Sequence, residues 1–231
     1  NCGHGTTMSG EAAAPRCTDG NACGVAYNCN FVICRAVNDV YIDEAKEVKG
    51  VSDAFIWGAD NPDVKIISTS TGRITGSSQI ADAVRYANSK EKLIFCAGGT
   101  SFSFTTFVGV IFPAWMPEVN AVTGIKDKEN LVICNDCHKG KQIDFVIVME
   151  KARVGKHPIS TATNNTDQPT TVGGSSVATA TAAGIAALVW SRFPTLTRDQ
   201  VLDKLITTAS AYPNKTNQYG WGKLNADAAT N

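Results

Sequence analysis

One stretch near the end of the chain decides the fold: residues 174–192 read GSSVATATAAGIAALVWSR. A helix drawn on this stretch is small or apolar on every side, and such a helix is buried inside a domain rather than laid on its surface. Ser175 and Ser176 fall in its first turn, where unpaired N–H groups and the helix dipole favour negative charge. The stretch therefore predicts a buried helix that begins at a hydroxyl group suited to nucleophilic attack.

This stretch resembles the serine motif of the subtilisin-like serine proteases, Gly-Thr-Ser-Met-Ala-Thr/Ser-Pro-His-Val-Ala-Gly. Ser176 falls on the nucleophile of that motif, and the next three residues follow in register. Ala180 stands where the family has proline, and Thr181 stands where it has a second histidine. Taken alone, the stretch fits equally well an alanine-rich core helix with a capping serine.

A second motif lies at the other end of the chain, where residues 2–10 read CGHGTTMSG. It resembles the family motif His-Gly-Thr-His-Val-Ala-Gly, with His4 on the catalytic imidazole. A lone histidine is usually structural, but two motifs in the family's order, separated by most of a domain, rarely coincide by accident. The resemblance extends to the tyrosine- and glycine-rich residues 219–228. It implies a serine endopeptidase in which Ser176 attacks and His4 is the general base.

Short apolar runs alternate with helical segments between the two motifs. Strands are predicted at residues 31–37, 63–69, 92–98, 118–125, 130–135 and 145–150, and helices at residues 44–57 and 78–89. A last helix begins at Thr197, which forms a capping box with Gln200. This alternation predicts parallel strands with right-handed crossovers. With the resemblance, we expect a three-layer α/β fold with a mainly parallel central sheet flanked by helices, and one domain over residues 1–231 that lacks its N-terminal part.

The resemblance also implies two substrate-binding segments at strand ends. Ser68, Thr69 and Ser70 resemble the family's Ser-Leu-Gly-Gly segment, which pairs with the peptide backbone as an added strand does. Ala97, Gly98 and Gly99 resemble the Ala-Gly-Asn wall of the first specificity pocket. Ordinary strand-end turns are the alternative, although catalytic loops collect at the carboxyl ends of parallel strands. Ile111 falls near the pocket floor, which predicts a preference for small or medium apolar side chains.

Two parts of the family's catalytic machinery have no counterpart in the sequence. The asparagine that stabilises the oxyanion maps to Gly99, which has no side-chain donor, and the Thr100 hydroxyl is a candidate replacement. The family orders its triad Asp, His, Ser, and only three residues precede His4, so we expect the aspartate outside this sequence. Asp19 follows the histidine inside a cysteine-rich loop and is not a triad member. The alternative to a protease is a degenerate subtilisin-fold module that binds peptides or partners without cutting them.

Composition bounds the compartment and the partners. The chain has eight cysteines and a formal net charge of zero. Four of them, Cys17, Cys23, Cys29 and Cys34, crowd into a short part of the chain, which favours an oxidising compartment, disulfide bonds and secretion. A net charge of zero without a basic cluster does not favour binding to nucleic acid. No apolar segment of the sequence is long enough to span a membrane. The expected partners are a protein or peptide substrate and a separate N-terminal fragment or propeptide.

Cofactor signals in the sequence are weak. Cys134, Cys137 and His138 have the C-x-x-C-H spacing of haem attachment or of part of a zinc site, but they lie between predicted strands without a second such motif. A small disulfide loop, or free thiols, is the favoured interpretation. The resemblance implies that no cofactor is required and that structural calcium is possible. Cys34 and Cys96 fall in predicted central strands and are predicted to be buried free thiols.

Overall fold

The computed structural model describes residues 3–16, 23–38, 42, 44–100, 109–150, 159–160, 170–171 and 173–231. Helices and strands alternate along most of this range. In chain order the elements are α1 (His4–Ala13), α2 (Ala45–Asp60), β1 (Ile66–Thr69), α3 (Ser78–Ser89), β2 (Leu93–Ala97), β3 (Asn120–Lys126), β4 (Ile143–Glu150), β5 (Ile159–Ser160), β6 (Thr170–Thr171), α4 (Ser175–Arg192), α5 (Arg198–Thr207) and α6 (Ala226–Thr230).

The main sheet has four parallel strands in the order β1-β2-β3-β4, and β5 and β6 form a separate antiparallel pair. Thr69 at the end of β1 pairs with Cys96, one residue before the end of β2. The carboxyl ends of these two strands therefore lie side by side at one edge of the sheet. In parallel α/β sheets this edge is where ligand-binding loops gather.

Both faces of the sheet are covered by helices. Ile94 and Cys96 belong to an apolar cluster that contains residues of α2 and α3, whereas Leu93 and Phe95 belong to a cluster that contains residues of α4 and α5. This alternation follows from the two-residue period of a strand, which sends successive side chains to opposite faces. The result is three layers, with the sheet in the middle.

Helix α4 is the central element of its layer. It packs against all four strands of the main sheet and against α1, α5 and α6. Gly184 lies where α4 meets the first part of the chain, since a Cβ atom there would lie 2.7 Å from Cβ of Val25 and 3.1 Å from the carbonyl oxygen of Ala12. The close approach of these segments therefore depends on the missing side chain.

Gly184→Ala is expected to lower the free energy of unfolding by about 1–3 kcal/mol, because the added methyl group overpacks this contact. Urea denaturation followed by circular dichroism measures the change. Gly5→Ala is the matched control in α1, since a Cβ atom there has no neighbour within 4 Å. It should leave stability unchanged or raise it by about 0.5–1 kcal/mol. Equal effects of the two substitutions would contradict the packing argument.

The predicted elements are confirmed over most of the chain. The helices predicted at residues 44–57 and 78–89 correspond to α2 and α3, and four of the predicted strands correspond to β1–β4. The Thr197 hydroxyl accepts from the backbone N–H of Gln200 at 3.3 Å, and the Gln200 side chain accepts from the N–H of Thr197 at 2.9 Å. The capping box therefore sets the start of α5. No helix in the described ranges combines the length and apolarity needed to cross a bilayer.

Two predicted strands are wrong. Residues 31–37 form no strand, and Phe31, Val32 and Ile33 are 49%, 62% and 63% exposed, because no described strand pairs with them. The prediction of a buried thiol is therefore wrong for Cys34, which is exposed, and confirmed for Cys96, which is buried. Residues 130–135 meet β3 through one isolated bridge, at Ile133, before the chain turns.

Candidate functional site

Ser176 lies in the first turn of α4, beside the carboxyl end of β1. Its hydroxyl donates to the carbonyl oxygen of Ser70 at 3.5 Å, and the Ser70 hydroxyl donates to the carbonyl oxygen of Ser176 at 2.9 Å. The first contact is at the long limit for a hydrogen bond, so it constrains the Ser176 hydroxyl only weakly. The second contact fixes the start of α4 to the segment that follows β1.

The neighbouring serine is held much more firmly. Ser175 is 1% exposed, and its hydroxyl accepts from the backbone N–H of Gly99 at 3.1 Å and lies 2.8 Å from the Thr100 hydroxyl. Thr100 Oγ1 also accepts from the backbone N–H of Ser175 at 2.8 Å. A Cβ atom at Gly174, where φ is +91°, would lie 2.9 Å from Thr100 Oγ1, so glycine is needed for this approach. The end of β2 and the start of α4 thus share one hydroxyl network.

His138 fills the space where a side chain on residue 99 would lie. Gly99 has φ of +120°, and a Cβ atom there would lie 2.5 Å from Nδ1 of His138. The His138 backbone N–H donates to the Gly99 carbonyl at 2.8 Å, and Nδ1 lies 2.6 Å from the carbonyl oxygen of Gly109. Burial lowers the pKa of His138. A neutral ring with hydrogen on Nδ1 satisfies the Gly109 carbonyl.

The C-x-x-C-H motif supports this loop. Cys134 and Cys137 form a close sulfur pair, and Thr100 meets Cys137 in an isolated antiparallel bridge. Gly124 of β3 leaves room for the pair, since a Cβ atom there would lie 2.8 Å from Sγ of Cys137. Across the described residues there is no group of three His, Cys, Asp or Glu side chains arranged to hold a metal ion. The motif therefore positions residues 99–100 through His138 and the sulfur pair.

His4 is half-buried and is the first residue of α1, which packs along α4. The contact between the helices contains a buried carboxyl group, because Glu11 is 6% exposed and accepts from the Thr181 hydroxyl at 3.0 Å. Burial raises the pKa of Glu11 to about 7 despite the hydrogen bond from Thr181, which lowers it. Thr181, which falls on the second histidine of the resembling motif, thus provides a hydroxyl for this buried carboxyl group.

The predicted substrate-binding residues lie along the ends of β1 and β2. Ser68 is exposed, the Thr69 hydroxyl lies 3.0 Å from that of Thr71, and Ser70 contacts Ser176 as described above. Ala97 and Gly98 are buried, and Gly98 donates to the Val122 carbonyl at 2.8 Å.

Sequence reasoning missed two residues of this region. The sequence signal for Ser175 was its position directly before Ser176, which gives the helix start a second hydroxyl. Glu11 was signalled by a carboxylate within the otherwise small and apolar residues 10–14.

Comparison with known proteins identifies the family of this chain. Residues 1–222 match the Subtilase family. Subtilisin DY of Bacillus licheniformis is 28% identical over 227 residues, which cover 98% of this chain and 77% of that protein. A thermostable alkaline protease of Halalkalibacterium halodurans is 30% identical over 233 residues, which cover 100% of this chain and 58% of that protein. The chain thus spans between about half and three quarters of these relatives.

The solved structure of sphericase has the same fold. It superposes with a TM-score of 0.74 at 23% sequence identity, and the match covers 96% of this chain and 77% of that one. The layers described above are therefore those of the three-layer α/β subtilisin-like fold.

Proposed function

The chain belongs to the subtilase family, and from that premise we propose that it is a serine endopeptidase that hydrolyses peptide bonds through an acyl-enzyme. Ser176 is the nucleophile and His4 is the general base. Ser176 Oγ bonds to the scissile carbonyl carbon while its proton passes to His4, and the carbonyl electron pair moves to oxygen. His4 then gives the proton to the leaving amine, and water releases the acyl group by the same route.

One observation carries this proposal: the helices that begin at the two motifs pack side by side. Glu11 contacts Thr181, and Ala12 contacts Gly184, so the contacts advance in the same direction along α1 and α4. Ala12 and Gly184 are 172 residues apart, and so are His4 and Ser176. This parallel packing supports the proposal that the imidazole of His4 and the hydroxyl of Ser176 lie at the same end of the two helices.

The carboxylate that orients His4 is proposed to come from a segment outside residues 1–231, since the family's order places it before the histidine. The structure offers a place for such a segment. Strand β1 is at the edge of the main sheet, and an edge strand has backbone groups open to pairing. The exposed run Phe31, Val32 and Ile33 is apolar at consecutive positions, as in a strand covered on both faces.

Intact mass spectrometry of the purified protein, with any peptide that accompanies it, tests this part of the proposal. We expect an aspartate-bearing segment, and replacing its aspartate with asparagine should lower kcat by about 10⁴-fold. Full activity from residues 1–231 alone would contradict an external carboxylate.

The substrate-binding segments are proposed to be Ser68, Thr69 and Ser70 on one side and Ala97, Gly98 and Gly99 on the other. The first segment lies at the carboxyl end of β1, and its backbone groups are proposed to pair there with an extended peptide. The second segment is in contact with Ile111, whose N–H donates to the Gly98 carbonyl at 3.0 Å. This contact supports the proposal that Ile111 lies next to the first specificity pocket.

We expect peptides with alanine or leucine before the scissile bond to be cleaved with a kcat/KM at least ten times that of an arginine peptide, because a charged side chain loses hydration beside Ile111. A series of chromogenic peptides that differ at this one position measures it. Ile111→Ala should shift the optimum towards larger apolar residues. A strong arginine preference would contradict the role of Ile111.

The proposal extends to compartment and cofactors. The protein is proposed to be secreted, with disulfide bonds that include Cys134–Cys137, because it has eight cysteines. No cofactor takes part in the reaction, and structural calcium is possible in this family.

A catalytically degenerate peptide-binding module is the second candidate. It is favoured by one observation, namely that Gly99 cannot carry the family's asparagine beside His138. Pre-steady-state hydrolysis of a nitrophenyl ester separates the two. An endopeptidase with an acyl-enzyme releases a burst of nitrophenol close to the enzyme concentration, and a binding module releases none.

A further inference from the structure

Within the part of the chain that the structure describes, the hydrogen of the Thr100 hydroxyl has no acceptor once the hydroxyl of Ser175 is satisfied. Thr100 is exposed, whereas Ser175, its hydroxyl partner, is buried. Only one of their two hydroxyl hydrogens can lie in the 2.8 Å contact between the oxygens. Which of the two lies there decides what the remaining hydrogen can do.

In this contact the Ser175 hydroxyl is the donor and Thr100 Oγ1 is the acceptor, because only this choice satisfies the buried Ser175 hydrogen. If Thr100 donated, the buried Ser175 hydrogen would need another acceptor, and within the described part of the chain Ser175 Oγ meets only Gly99 N and Thr100 Oγ1. A buried hydroxyl hydrogen without an acceptor is unfavourable. If Ser175 donates, its hydroxyl both accepts from Gly99 N–H and donates to Thr100 Oγ1. Thr100 Oγ1 then accepts from the hydroxyl and from the backbone N–H of Ser175. The Thr100 hydrogen is then directed to the exposed side.

The Thr100 hydroxyl lies at the N-terminal end of α4, the helix whose first turn contains Ser176. The N–H groups in the first turn of a helix point out of its N-terminal end and have no acceptor within the helix. The N–H of Ser175 donates to Thr100 Oγ1, so this oxygen lies off that end of α4, and the N–H of Ser176, the next residue, belongs to the same first turn. A carbonyl oxygen placed between them would meet a side-chain hydroxyl and a backbone N–H.

Residue 99, which precedes Thr100, cannot be an asparagine in this structure. A side chain at residue 99 collides with His138, and the φ of +120° at Gly99 disfavours any residue with a Cβ atom. The donor therefore has to come from another residue at the end of β2. Thr100 is the next residue, and it is held by Ser175 and by the bridge to Cys137.

We propose that the Thr100 hydroxyl is a catalytic donor that stabilises the oxyanion formed when Ser176 attacks a peptide carbonyl, with buried Ser175 as the residue that orients it. This rests on the proposed endopeptidase function. The bond from Thr100 strengthens as negative charge develops on the carbonyl oxygen, so it acts on the transition state more than on the bound substrate. The hydroxyl supplies what the asparagine supplies elsewhere in the family.

Thr100→Val keeps the volume of the side chain and removes the hydroxyl. We expect kcat to fall by about 10²–10³-fold with KM within threefold of the wild type, because the lost bond belongs to the transition state. Thr100→Ser restores a hydroxyl at the same position and should recover kcat to within about tenfold. Steady-state hydrolysis of one peptide by the three proteins provides both parameters.

Ser175→Ala is the matched control for structural damage. It breaks the same hydroxyl–hydroxyl bond as Thr100→Val but leaves a hydroxyl on residue 100, so its kcat should fall much less. Thermal unfolding of both variants shows whether they lose stability to a similar extent. A loss of kcat in Thr100→Ser as large as in Thr100→Val, at a thermal stability equal to that of Ser175→Ala, would overturn the assignment of Thr100 as the donor and indicate a structural role.

Different results would contradict the endopeptidase function and the role of Thr100. A wild-type protein that shows no ester burst and no peptide hydrolysis contradicts the endopeptidase function, and the role of Thr100 with it. An active wild type whose Thr100→Val variant retains its kcat contradicts the role of Thr100 alone.

Discussion

Replacing Ser176 with alanine is expected to abolish peptide hydrolysis, with a loss in kcat of about 10⁶-fold, which is the size found for the triad serine of a subtilisin. The loss is so large because the attacking atom itself is removed. KM should change little, since the Ser176 hydroxyl makes only a long 3.5 Å contact in the resting site. Residual cleavage above the uncatalysed rate then measures the oxyanion donors and substrate binding alone.

His4→Ala should cost about as much, and the double variant should cost no more than either single one, because nucleophile and base act as one unit. Ser191→Ala is the matched control, since Ser191 is an exposed serine in the last turn of the same helix. It should retain wild-type kcat. Additive losses from Ser176→Ala and His4→Ala would show that the two residues do not share a proton.

Replacing Glu11 with glutamine is expected to stabilise the protein above pH 7 by about 3 kcal/mol. The folded-state pKa of Glu11 is raised from 4.5 to about 7 by burial. Below pH 4.5 the carboxyl is protonated in both states and costs nothing. Between pH 4.5 and 7 the unfolded chain releases the proton while the folded chain retains it, so stability falls as pH rises. Above pH 7 the full penalty persists.

The surroundings of Glu11 explain why the penalty is not offset. Helix α4 has no charged side chain before Arg192, and Arg16 lies over the ring of Tyr27. The Thr181 hydroxyl donates a hydrogen bond to the Glu11 carboxyl, and the neutral amide oxygen of a glutamine accepts from this hydroxyl equally well.

Urea denaturation of wild type and Glu11→Gln at pH 4 and pH 8 measures the effect. The two should be equally stable at pH 4 and should differ at pH 8, with glutamine the more stable. Glu129→Gln, at an exposed position, is the control and should show no such divergence. A variant that is less stable than wild type at pH 8 would mean that the carboxylate is needed in its charged form.

The elements that the sequence predicted correctly are those with a local signal. Helix α4 is apolar on every side, and α5 begins at a capping box, so neither depends on a distant partner. Residues 31–37 have the composition of a strand, but a strand also needs a neighbour, and none is present among the described residues. The prediction failed where pairing, rather than propensity, decides the structure.

The candidate site was predictable in outline and not in detail. Motif spacing singled out His4, Ser176 and the strand ends, because each belongs to a short continuous pattern. The network of Ser175, Thr100 and Gly99 joins residues about 75 positions apart, and no local pattern encodes it. The sequence showed that Gly99 replaces the family's asparagine, but it did not show that His138 occupies the space where that side chain would lie.

Labelling with a fluorophosphonate tests the central claim most directly, because this reagent modifies only a serine that is activated as a nucleophile. Peptide mapping by mass spectrometry then locates the adduct. The account predicts one adduct, on Ser176, that is lost in Ser176→Ala and strongly slowed in His4→Ala. An unlabelled Ser176 in protein that is folded and contains every segment that accompanies the chain, or an adduct on another serine, would contradict it.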